Sequence, residues 1–272
     1  MNIKILVPTD MSENSRGALL FAMEIARKFN GQLVVLYVTE IAKPQQWVSP
    51  EEEEHRKHRE LEITRRLEYF VSGTFSGAEI LFFDYSCILH YNFGFVHTVL
   101  DYAVKNDCSH ICLATSGDRV VDRWMGTKAT ALVEESSIPV FCVPDWYKPK
   151  SIDVIIYATD MAYLEDELLK VKSLSDKLSA KVYVVHLSGD SNESKVAHGP
   201  NELLYFITLP RNKKMSFSDQ LEELVSRYKA SLLIIISDKR KGFFESVFMQ
   251  SRARKLSLNP QIPLLIYHRN IK

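Results

Sequence analysis

Short apolar runs alternate with longer amphipathic stretches along the whole chain. In the first half the runs are Ile3–Pro8, Gln32–Val38, Glu79–Asp84, His110–Ala114 and Val140–Val143. They are rich in Val, Ile, Leu and Phe and mostly continuous rather than alternating. That pattern suits strands buried on both faces of a parallel sheet. Helical periodicity between the runs predicts helices over Ser12–Phe29, Pro50–Ser72, Phe95–Asn106 and Thr127–Ser136. The helix from Pro50 is well signalled: Ser49 can cap it, Pro50 suits its first position, and four glutamates complement its dipole before basic residues follow. The strand–helix alternation predicts a doubly wound α/β fold.

The pattern occurs twice. "KILVPTDMSENSRGALLFAMEIARKFNGQLVVLYV" from Lys4 matches "DVIIYATDMAYLEDELLKVKSLSDKLSAKVYVVHL" from Asp153, and both first runs close on Thr-Asp-Met. The endings "SSIPVFCVP" and "NPQIPLLIYH" also correspond. The chain therefore divides into two copies, 1–146 and 151–272, joined near "DWYKPK", where Pro149 and charged residues interrupt the pattern. The second copy is shorter. Between its strands Lys181–Leu187 and Leu203–Leu209 the stretch "SGDSNESKVAHGPNE" lacks helical periodicity and reads as a loop in place of the long helix.

Composition narrows the classes. Hydrophobic residues make up 46% of 272, enough for a buried core. Lys plus Arg and Asp plus Glu each number 34, which gives no push toward nucleic acid or an anionic membrane surface. The four cysteines, Cys87, Cys108, Cys112 and Cys142, match no paired zinc spacing and read as buried free thiols in a reducing compartment. The first apolar run is too short for a signal-peptide core, and no run is long enough to span a bilayer. The expectation is a soluble cytoplasmic protein.

In an open parallel sheet, ligands bind beyond the C-terminal ends of the strands. Pro8-Thr9-Asp10 closes the first strand. The Asp10 carboxylate could accept bonds from an adenine amino group or a ribose hydroxyl, or it could cap the next helix, a role Ser12 could equally fill. Val38 closes the second strand, where it could pack on a base or belong to the core. After the fourth strand comes "ATSGDRVVDRWMGTK". Gly117 there allows positive φ and close approach of a ligand, and Gly126-Thr127-Lys128 stands at a predicted helix start, where free N–H groups favour an anion. The stretch is neither a P-loop nor GxGxxG, and no GxSxG elbow or HExxH pair occurs anywhere in the chain.

On "ILVPTDMSENSRGALLFAMEIARKFNGQLVVLYV" and the ending "IPVFCVP", the chain resembles the universal stress protein family, over nearly its whole length and as a tandem pair of such domains. The resemblance implies two flavodoxin-like α/β domains of five parallel strands each, packed through their last strands as an intramolecular pseudo-dimer. It also implies a site for ATP, or for AMP or ADP, with Mg²⁺. The family's phosphate loop has the form Gly-x2-Gly-x9-Gly-Ser/Thr. This chain has Ala114-x2-Gly117-x8-Gly126-Thr127, so the first glycine is alanine and the loop is one residue shorter. Carried over position by position, the cofactor-binding set is Pro8, Thr9, Asp10, Val38, Ala114, Gly117, Gly126, Thr127 and Lys128.

The second copy keeps the family spacing as Ser237-x2-Arg240-x9-Gln250-Ser251 but has none of the three glycines. Asp238 adds charge where phosphate would sit, although Lys239 and Arg240 oppose it, so a degenerate site is expected. The function implied is a stress-response regulator with at most slow ATP hydrolysis, since no general base or catalytic set is identifiable. The alternative is a nucleotide-free interaction module of the same fold. An adenylating enzyme fits less well, because two minimal domains leave little chain for a second substrate. A homodimer of the chain is compatible with this arrangement. Neither nucleic acid nor membrane is expected as a partner.

Overall fold

The structure is a computed structural model that describes residues 3–39, 49–78, 84–92, 94–115, 123–188, 194–199, 202–212, 214–215, 217–237 and 262–269; at 123–127, 217–218 and 237 it describes the backbone alone. Strands β1 (Lys4–Thr9), β2 (Gln32–Thr39), β3 (Tyr85–Tyr91), β4 (His110–Thr115) and β5 (Val140–Pro144) alternate with helices α1 (Arg16–Lys28), α2 (Pro50–Gly77), α3 (Phe95–Lys105) and α4 (Arg123–Glu135). The second half supplies β6 (Val154–Ala158), α5 (Leu164–Leu178), β7 (Lys181–Ser188), β8 (Lys195–His198), β9 (Leu204–Pro210), α6 (Phe217–Tyr228), β10 (Leu232–Ser237) and β11 (Leu264–His268).

The eleven strands of the described residues form one sheet, ordered β3-β2-β1-β4-β5-β11-β10-β6-β7-β9-β8. The order β3-β2-β1-β4-β5 is repeated as β9-β7-β6-β10-β11, and within each block the neighbours are parallel. The blocks meet where β5 and β11 pair antiparallel, Cys142 opposite Leu264 and Val140 opposite Ile266. Helices α1, α2 and α5 cover one face of the sheet, and α3, α4 and α6 cover the other. Each face carries one hydrophobic cluster that runs through both halves.

The register aligns the halves residue by residue. Leu6 lies beside Ile111, which lies beside Val140; likewise Ile156 lies beside Leu233, which lies beside Leu264. The local chemistry repeats with it. Ser109 Oγ accepts from Lys4 N at 3.0 Å, and its counterpart Ser231 accepts from Val154 N at 3.2 Å. Asn30 (φ 50°) after α1 is matched by Ser179 (φ 55°) after α5, and Asp107 (φ 53°) after α3 by Lys229 (φ 51°) after α6. These left-handed residues let each helix end and the chain turn into the next strand.

Several elements depart from the sequence expectation. The third strand is Tyr85–Tyr91; of the predicted Glu79–Asp84, residues 79–83 lie outside the described set and Asp84 precedes the strand. Strand β3 lies at the sheet edge and is mostly half-exposed, so its sequence is mixed rather than uniformly apolar. Helix α2 continues past Ser72 to Gly77 because Phe75 is buried and Thr74 Oγ1 bonds Phe70 O at 2.7 Å. A 3-10 turn, Glu13–Ser15, leads into α1. Helix α4 begins at Arg123 rather than Thr127. The expected loop of the second half contains β8, which pairs antiparallel with β9, so that block has six strands and not five. The cysteines are unpaired, and burial pushes the Cys142 thiol up to about 12.

Two features secure the junction. Phe21 packs edge-on against Phe141 at 5.1 Å and Tyr147 at 5.3 Å, and Tyr147 donates to Glu24 Oε2 at 2.8 Å. This pins the segment after β5 onto α1. The helix comes close enough only because residue 17 is glycine: a Cβ there would lie 2.6 Å from Pro144 O. Gly17→Ala is expected to lower stability by about 1–3 kcal/mol despite alanine's better helix propensity, as measured by urea denaturation. His110 stacks on Phe141 at 5.3 Å beside the junction, and burial holds its imidazole down to about 4. Its protonation therefore favours the unfolded chain. Stability is intact above the ordinary histidine pKa and falls as pH drops from about 6.5 to about 4, by roughly 3 kcal/mol. Denaturation across that range should show a shallower loss in His110→Leu, leucine being the residue at the counterpart position, Leu232.

Candidate functional site

Strands β1, β2 and β4 end at the same edge of the sheet. Thr9 stands beside Tyr37, and Ala114 lies three residues beyond the Leu6–Ile111 pair. Pro8, Thr9, Val38 and Ala114 thus gather at one rim. Alternation along the strands places Val38, half-buried against the cluster under α3 and α4, on one face and Ala114, buried, on the other.

Asp10 leaves the rim in a tight turn. Thr9 Oγ1 accepts from Met11 N at 3.0 Å and lies 2.9 Å from Ser15 Oγ, so its hydroxyl is committed to the turn. Asp10 Oδ1 accepts from Ser12 N at 3.0 Å and Ser12 Oγ at 2.6 Å. Asp10 is exposed, and its Oδ2 takes no bond among the described residues. One Asp10 oxygen thus stabilises the turn ahead of Ser12, which is itself the N-cap position, so Asp10 does not cap the helix. Met11 adopts φ 60°, which is uncommon outside glycine, asparagine and aspartate.

The proposed phosphate end is only partly in view. Gly117 lies outside the described residues, as do Arg119 and the second-half positions 238–261. Gly126 and Thr127 are helical and stand one turn inside α4, so their backbone N–H groups fall within the helical ladder. The free donors of α4 are those at its start, ahead of Gly126. Lys128 sits on α4 with Nζ 5.0 Å from the centroid of the Phe95 ring, at the start of α3. Among the described residues, no cluster of His, Cys, Asp and Glu is arranged to hold a metal ion, and no helix is long and apolar enough to cross a membrane.

The second half builds the same turn and closes it. Thr159 Oγ1 accepts from Met161 N at 3.0 Å, Asp160 Oδ1 accepts from Ala162 N at 3.0 Å, and Met161 has φ 67°. Arg269, immediately after β11, then grips Asp160 with both terminal nitrogens, Nη1 to Oδ2 at 2.8 Å and Nη2 to Oδ1 at 2.6 Å. Its Nε donates to Glu167 Oε1 at 2.5 Å, and its guanidinium lies 5.1 Å from the centroid of the Tyr163 ring. The side chains of Arg269 and Glu167 are only 6% and 3% exposed. Tyr157 donates to the other Glu167 oxygen, and burial keeps that phenol well above its usual pKa.

The register makes Glu167 the counterpart of Gly17 and Arg269 that of Asp145. It also sets Ile236, rather than Ser237, level with Ala114. Arg269 was not among the candidates read from sequence, because its role depends on a contact 109 residues away. Removing it would leave Glu167 buried without its cation. Arg269→Met is therefore expected to lower stability by about 3–5 kcal/mol in thermal or urea unfolding.

Residues 1–144 match the universal stress protein family. Among solved structures, a universal stress protein from Archaeoglobus fulgidus DSM 4304 superposes with a TM-score of 0.63 at 14% identity, covering 98% of this chain and 98% of that one. A functionally unknown protein, PA1789 from Pseudomonas aeruginosa PAO1, gives 0.54 at 12% identity, covering 97% and 92%. At these identities the likeness shows the fold alone. A universal stress protein from Archaeoglobus fulgidus in complex with dAMP is 18% identical over 52% of this chain and 97% of its own, with a TM-score of 0.36, too low to carry a ligand across. No curated protein matches the chain. With the family matching more than half of the sequence and the α/β sheet order matching its fold, this chain belongs to the universal stress protein family.

Proposed function

We propose that the first half, 1–146, is an adenine-nucleotide-binding domain of a stress-response protein, and that the second half, 151–272, is a degenerate copy that holds no nucleotide. The observation that carries this reading is the contrast between the two Thr-Asp-Met turns. Asp10 is exposed beside an apolar rim and its Oδ2 takes no bond among the described residues, whereas Asp160 is closed by Arg269. In this reading Asp10 meets the base or ribose, Val38 and Pro8 support the base, and the loop from Ala114 through Gly117 to the start of α4 receives the phosphates. ATP with Mg²⁺ is the ligand expected from the resemblance. Hydrolysis is slow at most, since no general base is identifiable among the described residues at the rim. The expected setting is the cytoplasm.

The competing reading, a nucleotide-free interaction module, draws support from Ala114. Its methyl stands at the strand end where the family motif has glycine, and the residue is buried. Titration calorimetry of ATP into the purified protein separates the two. Saturable binding of one nucleotide per chain, weakened about tenfold or more by Asp10→Ala and by Gly126→Glu, is the expected result. Absence of heat at millimolar ATP, with no nucleotide released on denaturation, supports the interaction module. Undiminished binding in both variants would place the site elsewhere.

A further inference from the structure

A concave site lies on the α1–α2 side, lined along α2 and bordered by Met11 and Arg16. It has a volume of about 700 Å³ and is bounded by Met11, Arg16, Leu61, Arg65, Arg66 and Tyr69, with Phe70 and Gly73 in its wall. That volume is within the range of small-molecule sites. Three guanidinium groups and His58 face it against one carboxylate, Glu62.

Arg65 and Arg66 are not neutralised as charges are elsewhere on the same helix, whereas Arg16 pairs with Glu13 at 2.7 Å. Arg56 pairs with Glu60 at 2.5 Å, and Lys57 pairs with Glu53 at 3.1 Å. Arg65 and Arg66 form no ion pair or hydrogen bond among the described residues, although Glu62 is only one turn away. Arg16 is held in place from below: Nε bonds Glu13 Oε2 at 2.7 Å, Nη1 bonds Thr74 Oγ1 at 2.7 Å, and the guanidinium lies 4.9 Å from the centroid of the Phe70 ring. One cation of the site is therefore preorganised.

The remaining wall is apolar and open. Tyr69 is 81% exposed and Leu61 49%, so both large side chains are open to solvent along this wall. Nothing lies within 4 Å of a Cβ built on Gly73, so this part of the wall is empty space.

We propose that this pocket binds a small organic dianion with a flat apolar group, a phosphate monoester of an aromatic or similar body. The phosphate is taken by Arg65 and Arg66, with Arg16 at the base, and the apolar part lies against Leu61, Tyr69 and Phe70. Guanidinium suits this chemistry because its planar fork bonds two phosphate oxygens at once. The site is separate from the Asp10 oxygen, although Met11 borders the pocket directly after Asp10, and it does not rest on the nucleotide reading.

The test is calorimetric titration of the full chain with phenyl phosphate and, in parallel, inorganic phosphate. Saturable binding of phenyl phosphate, tighter than that of inorganic phosphate, is expected. The double variant R65E/R66E should weaken it about tenfold or more. Gly73→Leu should weaken it by filling the empty wall, and because leucine favours a helix over glycine this variant is expected to keep its fold. Asp10→Ala should leave phenyl phosphate binding unchanged, whatever it does to ATP. The proposal is overturned by an absence of heat at millimolar phenyl phosphate. It is equally overturned by affinity unchanged in both R65E/R66E and Gly73→Leu, or by binding lost in Asp10→Ala alone.

Discussion

The molecule depends on one short antiparallel junction. Three residue pairs between β5 and β11 turn two parallel blocks into a single sheet. Because the junction is antiparallel, the strands of one block run opposite to those of the other. The rim carrying Asp10 and the turn carrying Asp160 therefore lie at opposite ends of the sheet. The hydrophobic clusters cross the junction on both faces, so neither half has a core of its own that stops at the boundary. A neutral histidine and the rings of Phe141 and Tyr267 sit there, where an ion would face a large desolvation cost.

Around this shared frame the halves diverge at matched positions. Gly17 and Asp145 in the first half are replaced by Glu167 and Arg269 in the second. In the first pair a missing side chain lets a helix approach a strand end. In the second pair two ions fill that space, and the arginine extends to the aspartate of the turn. One change of residue types accounts for both the packing of α5 and the closure of Asp160. Among the described residues the long helix has no counterpart in the second half, and the sheet there ends in the short antiparallel β8.

Most of the fold was legible in the sequence because central strands of a parallel sheet are buried on both faces and read as unbroken apolar runs. That holds for β1, β2, β4 and β5. It fails for β3 and β8, edge strands whose half-exposed or exposed residues carry no such signature, while the more apolar run at Glu79–Asp84 drew the assignment away from Tyr85–Tyr91. The expected end of α2 at Ser72 fell short, because the buried Phe75 carries the helix on to Gly77. The turn around Asp10 had a signal in Thr-Asp-Met, since Thr and Asp side chains bond their own backbone two residues on, but the expectation weighed a helix cap or a ligand contact for Asp10 and not this turn. The start of α4 was not, because the glycine of Gly126 reads as a boundary although it sits inside a helix. Arg269 had no local signal at all: its partners come from the turn after β6 and from α5, and only the assembled sheet brings them within reach.

The grip of Arg269 on Asp160 also differs from ligand binding in its dependence on conditions. A guanidinium tethered at the end of β11 has an effective concentration set by the fold, on the order of millimolar or above, whatever the solution contains. It also stays charged across the physiological range. Occupancy of the Asp160 turn is thus a constant of the folded chain, insensitive to metabolite levels. Any signal that this protein reads through a Thr-Asp-Met turn has to enter at Asp10, because the other turn is saturated from the moment the chain folds.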